Sequence, residues 1–376
     1  MPPQVTANKQ ATGAAVAVVS RRRCPARSGW RTMRATGIAP FGTAGRTKFE
    51  LAAFLSTVVA DRDGARGVGV ALAKLHETLK QIGASNVAVV SAALCFFGLA
   101  EDTPHARLAV ALAAQADAMG RRHPYHNAGH LREVTVNMAN LVALNATRHQ
   151  GVVLGKNDLA LALALAVSHD LGHDGATNDV PLRDAAGNPI VDADGKPATE
   201  NVPFLLEDKA IATIMVAGRR AGISEADLRR MRAVVLITDP NTGYRVLDAA
   251  LDPQRDPAAT ATLLGFRPEL TALREPVVLR LATMLRDADV LGSCGTSAAE
   301  NDRETARLEK ERGLPAGGLH GRGTEHFIGT IARGKFLSPE GRFFQPNLEY
   351  LRALNTARLE TADPRAVTLA DMERLR

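Results

Sequence analysis

Aromatic side chains are scarce in this chain of 376 residues: eleven Phe, three Tyr and one Trp, Trp30, make up 4% of it. A core without large rings has to be filled by Leu, Ala and Val, which favours close-packed helices over a β-sandwich. Cysteine is nearly absent as well. Cys24, Cys95 and Cys294 are scattered and show no CxxC spacing, which argues against a disulfide framework and for a reducing, cytoplasmic setting. No apolar run reaches the roughly 18–20 residues of a spanning helix, and the longest, Leu159 to Val167, falls far short, so the chain reads as soluble. Acid is missing from one region only. Residues 1–49 hold nine Lys and Arg and no Asp or Glu, leaving 37 bases against 40 acids elsewhere, so the formal net charge of +6 belongs to the N-terminal stretch. A nucleic-acid grip by the folded body is therefore not expected.

What is present is helical periodicity. Residues 1–45, rich in Ala, Thr, Gly, Arg and Pro without a period, are expected to form a disordered basic tail; an organelle transit peptide or an overlong start remains open for them. Apolar residues at three- and four-residue spacing then predict helices over about Glu50–Val59, Val68–Ile82, Ala106–Met119, Ala128–Leu144, Leu205–Ala221, Glu225–Ile237, Pro276–Leu291, Ala298–Gly313 and Pro346–Leu359. Leu159 to Val167 is apolar all round and should be a central, buried helix. The turn-rich residues 179–203 read as a surface insertion, for which a hairpin is one form. With strand signals nearly absent, the expected fold is all-α, a compact multi-helix bundle. It divides into an N-terminal helical subdomain (46–104), a catalytic domain (105–337) and a C-terminal helical extension (338–376).

Chemistry concentrates in two short runs 39 residues apart, Tyr125-His126-Asn127-Ala128-Gly129-His130 and Ser168-His169-Asp170-Leu171-Gly172-His173. His126 and His130 are four apart, as are His169 and His173, so each pair is expected on one helical face, with Asp170 on the same side as His173. Imidazoles with a bridging carboxylate suit Zn, Mn, Fe or Co, and an oxygen-rich neighbouring position suits Mg or Mn. The runs supply only three good ligands, so a fourth should lie downstream, where Asp287 and Asp289 are the candidates. On a wheel of roughly 100° per residue, Asp289 lies about 45° from the apolar stripe of Val278, Leu281, Ala282, Leu285 and Ala288, and Asp287 about 155° from it. A carboxylate on a buried stripe is costly unless it is paired or holds metal, which selects Asp289.

Pro124-Tyr125-His126-Asn127-x-x-His130, followed by His169-Asp170-x-x-His173-x-Gly175-x-x-Asn178, resembles the catalytic domain of class I 3′,5′-cyclic nucleotide phosphodiesterases, within the HD superfamily of metal-dependent phosphohydrolases. The likeness continues through Leu206-Glu207-Asp208 and Val234 to Asp239, ends near Phe327-Ile328, and covers about residues 105–337. It implies a helical bundle with two divalent metal ions, the first held by His130, His169, Asp170 and Asp289, the second reached through Asp170. By the same resemblance His126 would be the general acid, His173 and Glu207 would orient ligands and waters, and Phe327 would contact the substrate. A hydroxide shared by the metals would attack phosphorus in line. The expected partner is a small-molecule phosphate ester.

Several positions depart from that pattern. Asp174 stands where the family usually has proline, which would add a carboxylate beside the metals. The segment 179–203 looks longer and more polar than usual, and no histidine follows Thr238-Asp239. Thr324 occupies the place where a purine-binding glutamine would be expected. Two other readings remain at this point: an HD-type phosphomonoesterase or nucleotidase, and a non-catalytic ligand-sensing module. The sequence does not specify the oligomeric state.

Overall fold

The computed structural model describes residues 42–360, apart from 61–63, 121, 149–150, 193–194, 196 and 320–321. The expectations for residues 1–41 and 361–376 lie outside the described residues. The fold is all-α, with one two-stranded hairpin. Helix α1 (Thr43–Val59) starts inside the stretch expected to be tail, because its buried face of Thr47, Leu51, Phe54, Leu55 and Val58 reaches back one turn further than the apolar residues alone indicate. Then come α2 (Ala65–Gln81), α3 (Asn86–Phe96), α4 (Pro104–Met119), α5 (Ala128–Arg148) and α6 (Lys156–Ser168). Past the hairpin β1 (Asp179–Pro181) and β2 (Thr199–Asn201) lie α7 (Leu205–Ala221), α8 (Glu225–Leu236), α9 (Thr242–Leu251) and α10 (Pro257–Gly265). The described residues continue through α11 (Pro276–Cys294), α12 (Ala298–Glu311), α13 (Arg322–His326) with a π-helical turn (Phe327–Ile331), and α14 (Gln345–Leu359).

Three helices position the site. α5 is buried from His130 to Asn145 and packs against α1, α3, α6 and α11. Its polar residues remain inside because they are bonded: Asn137 Nδ2 donates to Ala288 O of α11 at 2.8 Å, and Arg132 donates to Ala84 O at 3.0 Å. α6 is buried from Ala160 to Ser168. It packs against the alanine-rich α4, where small side chains let two helices approach closely.

α11 is also buried almost all round, polar side included. Its Arg286, among the largest fully buried side chains, donates to Asp287 Oδ1 at 3.0 Å, to Lys335 O at 2.9 Å, to Ile331 O at 3.3 Å and to Ala332 O. The stripe that a helical wheel assigns to solvent is thus covered by the segment after the π turn. The described residues between 179 and 201 lie on the surface, where Asp179 pairs with Asn201 and Pro181 with Thr199.

Candidate metal centre

Four side chains from three segments converge. His130 stands in the first turn of α5, His169 and Asp170 follow the last residue of α6, and Asp289 lies two-thirds along α11. His130 Nε2 is 3.4 Å from Asp170 Oδ2 and 3.2 Å from Asp289 Oδ1. His169 Nε2 is 3.3 Å from Asp170 Oδ2 and 3.6 Å from Asp289 Oδ1. Both Nε2 atoms are buried with no hydrogen-bond partner. Such orphaned nitrogens are costly in an apolar interior unless something else satisfies them.

His169 Nδ1 lies 3.1 Å from Ala166 O, so that nitrogen carries the proton and donates it, and the Nε2 lone pair is free to ligate. The carboxylates give the complementary electrostatics. Burial pulls the His130 imidazole down, but Asp170 and Asp289 outweigh it and lift it to about 9. Burial pushes Asp289 up, yet the His130 and His169 rings hold it well below the ordinary range. Two carboxylates and two inward imidazole nitrogens form a donor set that a divalent cation fits.

The histidine pairs do not sit on single helical faces as their spacing suggests. α6 stops at Ser168, and the chain turns through Gly172 (φ 86°) and Gly175 (φ 78°). Gly175 is required: besides its left-handed backbone, a Cβ there would meet His123 Nδ1 at 2.7 Å. That turn sends His173 away from the four-residue cluster and onto His126, and the two rings stack with centroids 3.7 Å apart. Burial first, then the neighbouring His126, depresses His173 to about 4. It is neutral at physiological pH.

His126 precedes α5 and is held by Glu311, the last residue of α12. One Glu311 oxygen faces His126 Nδ1; the other accepts from the backbone N–H of Tyr125 at 2.7 Å and of His126 at 2.9 Å. Burial would raise Glu311, but the His126 contact wins and draws it to about 2. Glu311 is absent from the residues expected above. The only signal for it is a polar stripe of Glu300, Glu304, Arg307 and Glu311 at three- and four-residue spacing, which ordinarily marks a solvated face.

Glu207 lies in the first turn of α7. Asn178 Nδ2 donates to Glu207 at 3.1 Å and to Asp239 at 3.2 Å, and Phe204 N donates to Asp239 at 3.0 Å. Burial, reinforced by Asp239, pushes Glu207 up to about 7. Asp174 does not join the cluster; it is half-exposed and pairs with Lys209 Nζ at 2.6 Å. Phe327, half-buried on the π turn, and Thr324, fully buried, line a small cavity that also touches Tyr125. Asp287 is turned to the far side of α11. It accepts from Leu337 N at 3.0 Å and Ser338 N at 2.7 Å, and Gly341 backs onto it so closely that a Cβ would clash.

The all-α bundle is similar in fold to solved phosphodiesterase domains. The phosphodiesterase domain of the rhodopsin phosphodiesterase from Salpingoeca rosetta is 21% identical, with a TM-score of 0.50 over 73% of this chain and 88% of that one. LmjPDEB1 of Leishmania, solved in complex with IBMX, is 18% identical, with a TM-score of 0.49 over 77% of this chain and 91% of that one. No family model and no curated protein matches the sequence.

Proposed function

We propose that the protein is a metal-dependent phosphohydrolase that cleaves a 3′,5′-cyclic nucleotide or a related small phosphodiester. One observation carries the reading: His130 and His169 bury their Nε2 atoms against Asp170 and Asp289 with no partner to satisfy them. These four residues would hold a first ion of the Zn, Mn, Fe or Co type, with Asp170 reaching a second, Mg or Mn. When bound, the metals supply Lewis acidity and a water acidified toward neutrality.

The chain's own residues account for the other half of the chemistry. Glu311 accepts the Nδ1 proton of His126 and fixes the ring. His126 Nε2 can then carry a proton to the leaving alkoxide, help worth about 10²–10⁴-fold. His173 stacks on that ring in its neutral form, so it supports the orientation without adding a charge beside it. Glu207, Asn178 and Asp239 form a bonded group behind the centre, suited to orienting waters. The few scattered thiols agree with a cytoplasmic site of action, and among the described residues no helix is long and apolar enough to cross a membrane.

The deciding experiment is an assay of chelated and Mn²⁺- or Mg²⁺-reloaded protein against cyclic AMP, cyclic GMP and bis-p-nitrophenyl phosphate. Hydrolysis of a diester that requires metal is expected. Bound metal with no turnover of any diester would remove the proposal, and a preference for phosphomonoesters would replace it with a nucleotidase.

A further inference from the structure

Two sets of contacts tie α12 to the start of α5. Glu311 holds His126, which precedes α5. Four residues before Glu311, Arg307 Nη1 donates to Glu133 of α5, at 3.1 Å to one carboxylate oxygen and 3.3 Å to the other. Glu133 stands three residues after His130. Going forward from His126 to Glu133 therefore means going back along α12 from Glu311 to Arg307. Arg307 thus links the helix that carries Glu311 to the helix that carries His130.

α12 packs on α11, but Leu308 is its only large apolar side chain, so apolar packing alone fixes its register weakly. The carboxylates that face Arg307 are buried, with Glu133 5% and Glu304 4% exposed. Glu304, on the same helix, accepts from Arg307 at 2.7 Å and steadies the guanidinium. Arg303, one turn earlier, serves other partners: it pairs with Glu300 and with Glu77 of α2 at 3.3 Å, and lies 3.9 Å from Glu133. Burial works against the Arg307 charge, and Glu133 and Glu304 outweigh it. A buried ion pair adds little net stability over an apolar contact of similar size; its best-attested use is to fix register.

We propose that Arg307 is a positioning residue: by bonding Glu133 it sets the register of α12 on α5, and so places Glu311, and the His126 ring with it, relative to the metal ligands. The inference rests on the phosphodiesterase reading above and assigns it a further residue. Arg307 acts through Glu311 and His126 alone. A misplacement of about 1 Å at a reacting group costs about 10²-fold.

Arg307→Met should keep its metal and its KM and lose about 10–10²-fold in kcat on an alkyl diester, with much less loss on a nitrophenyl ester. Arg307→Lys restores the charge without the fork, should fall between the two, and serves where the methionine variant does not fold. A general loss of stability would lower both substrates alike. Proton NMR gives a readout independent of turnover. The far-downfield Nδ1–H resonance of His126, identified by its absence from His126→Ala, should appear in the wild type and shift or broaden in the Arg307 variants. A wild type without that resonance, or folded variants in which it does not move, overturns the proposal. A resonance that responds to Arg307 in a protein that cleaves no diester sinks the phosphodiesterase reading and leaves the positioning role standing. Diester hydrolysis whose leaving-group ratio ignores Arg307 does the reverse.

Discussion

Asp287 and Asp289 stand two residues apart on α11 and serve different partners. Asp289 Oδ1 lies 3.2 Å from His130 Nε2, whereas Asp287 accepts from the backbone of Leu337 and Ser338 and from its neighbour Arg286. The two substitutions should therefore separate cleanly. Asp289→Ala is expected to lose bound metal, read by elemental analysis, while the metal-free fold keeps its stability. Asp287→Ala leaves a buried guanidinium without its counter-charge and two backbone N–H groups without their acceptor, and should cost about 3–5 kcal/mol in urea unfolding. Metal content in whatever fraction stays folded should be unchanged.

Metal removal has its own signature. The four converging groups bring two partly exposed carboxylates against two buried imidazoles, and a cation that binds only the folded chain stabilises it by mass action. At a free metal concentration 100 times Kd the gain is about 2.7 kcal/mol. A chelator should lower the melting temperature of the wild type and leave that of Asp289→Ala where it was. Equal shifts in the two proteins would mean that the ion binds elsewhere.

His126 and Glu311 should behave as a unit. His126→Ala is expected to keep metal and lose about 10²–10⁴-fold in kcat on a diester with an alkoxide leaving group, and much less on a nitrophenyl ester that leaves without a proton. Glu311→Gln weakens the hold on the ring and should cost about 10–10²-fold, again graded by leaving group. Full activity of His126→Ala on an alkyl diester would dismiss it as the acid.

Glu207 makes stability depend on pH in an unusual direction. Its carboxyl is pushed up to about 7 in the folded chain from the ordinary 4.5. Between these values the folded chain holds a proton that the unfolded chain has released, so stability falls as pH rises through the window and levels off above it. The contribution is up to about 3 kcal/mol. Glu207→Gln cannot ionise, so unfolding in chelator from pH 4.5 to 8 should show the variant gaining on the wild type as pH rises. A constant difference between the two would show that Glu207 does not titrate in this range.

The sequence made the catalytic helices legible because their period is strong. α7 begins and ends where expected, and α5 and α11 only extend by one turn. Asp289 was separable from Asp287 because one edge of the wheel carries the apolar stripe. The opposite edge misleads: Arg280, Thr283, Arg286 and Asp287 look solvated, and only a segment about 50 residues downstream covers them. The turn that sends His173 to His126 depends on two glycines in the left-handed region, which a four-residue spacing cannot reveal. Glu311 lies 185 residues from His126, on a helix crowded with charges, so nothing local marks it.

Arg286 reaches from the helix that carries Asp289 to the carbonyls of Ile331, Ala332 and Lys335, immediately after the turn bearing Phe327. One helix thus carries the candidate metal ligand Asp289 at one point and, three residues earlier, a clamp on the segment that follows Phe327. Any slide of that helix would displace both together, so the position of the π turn and that of Asp289 are mechanically tied.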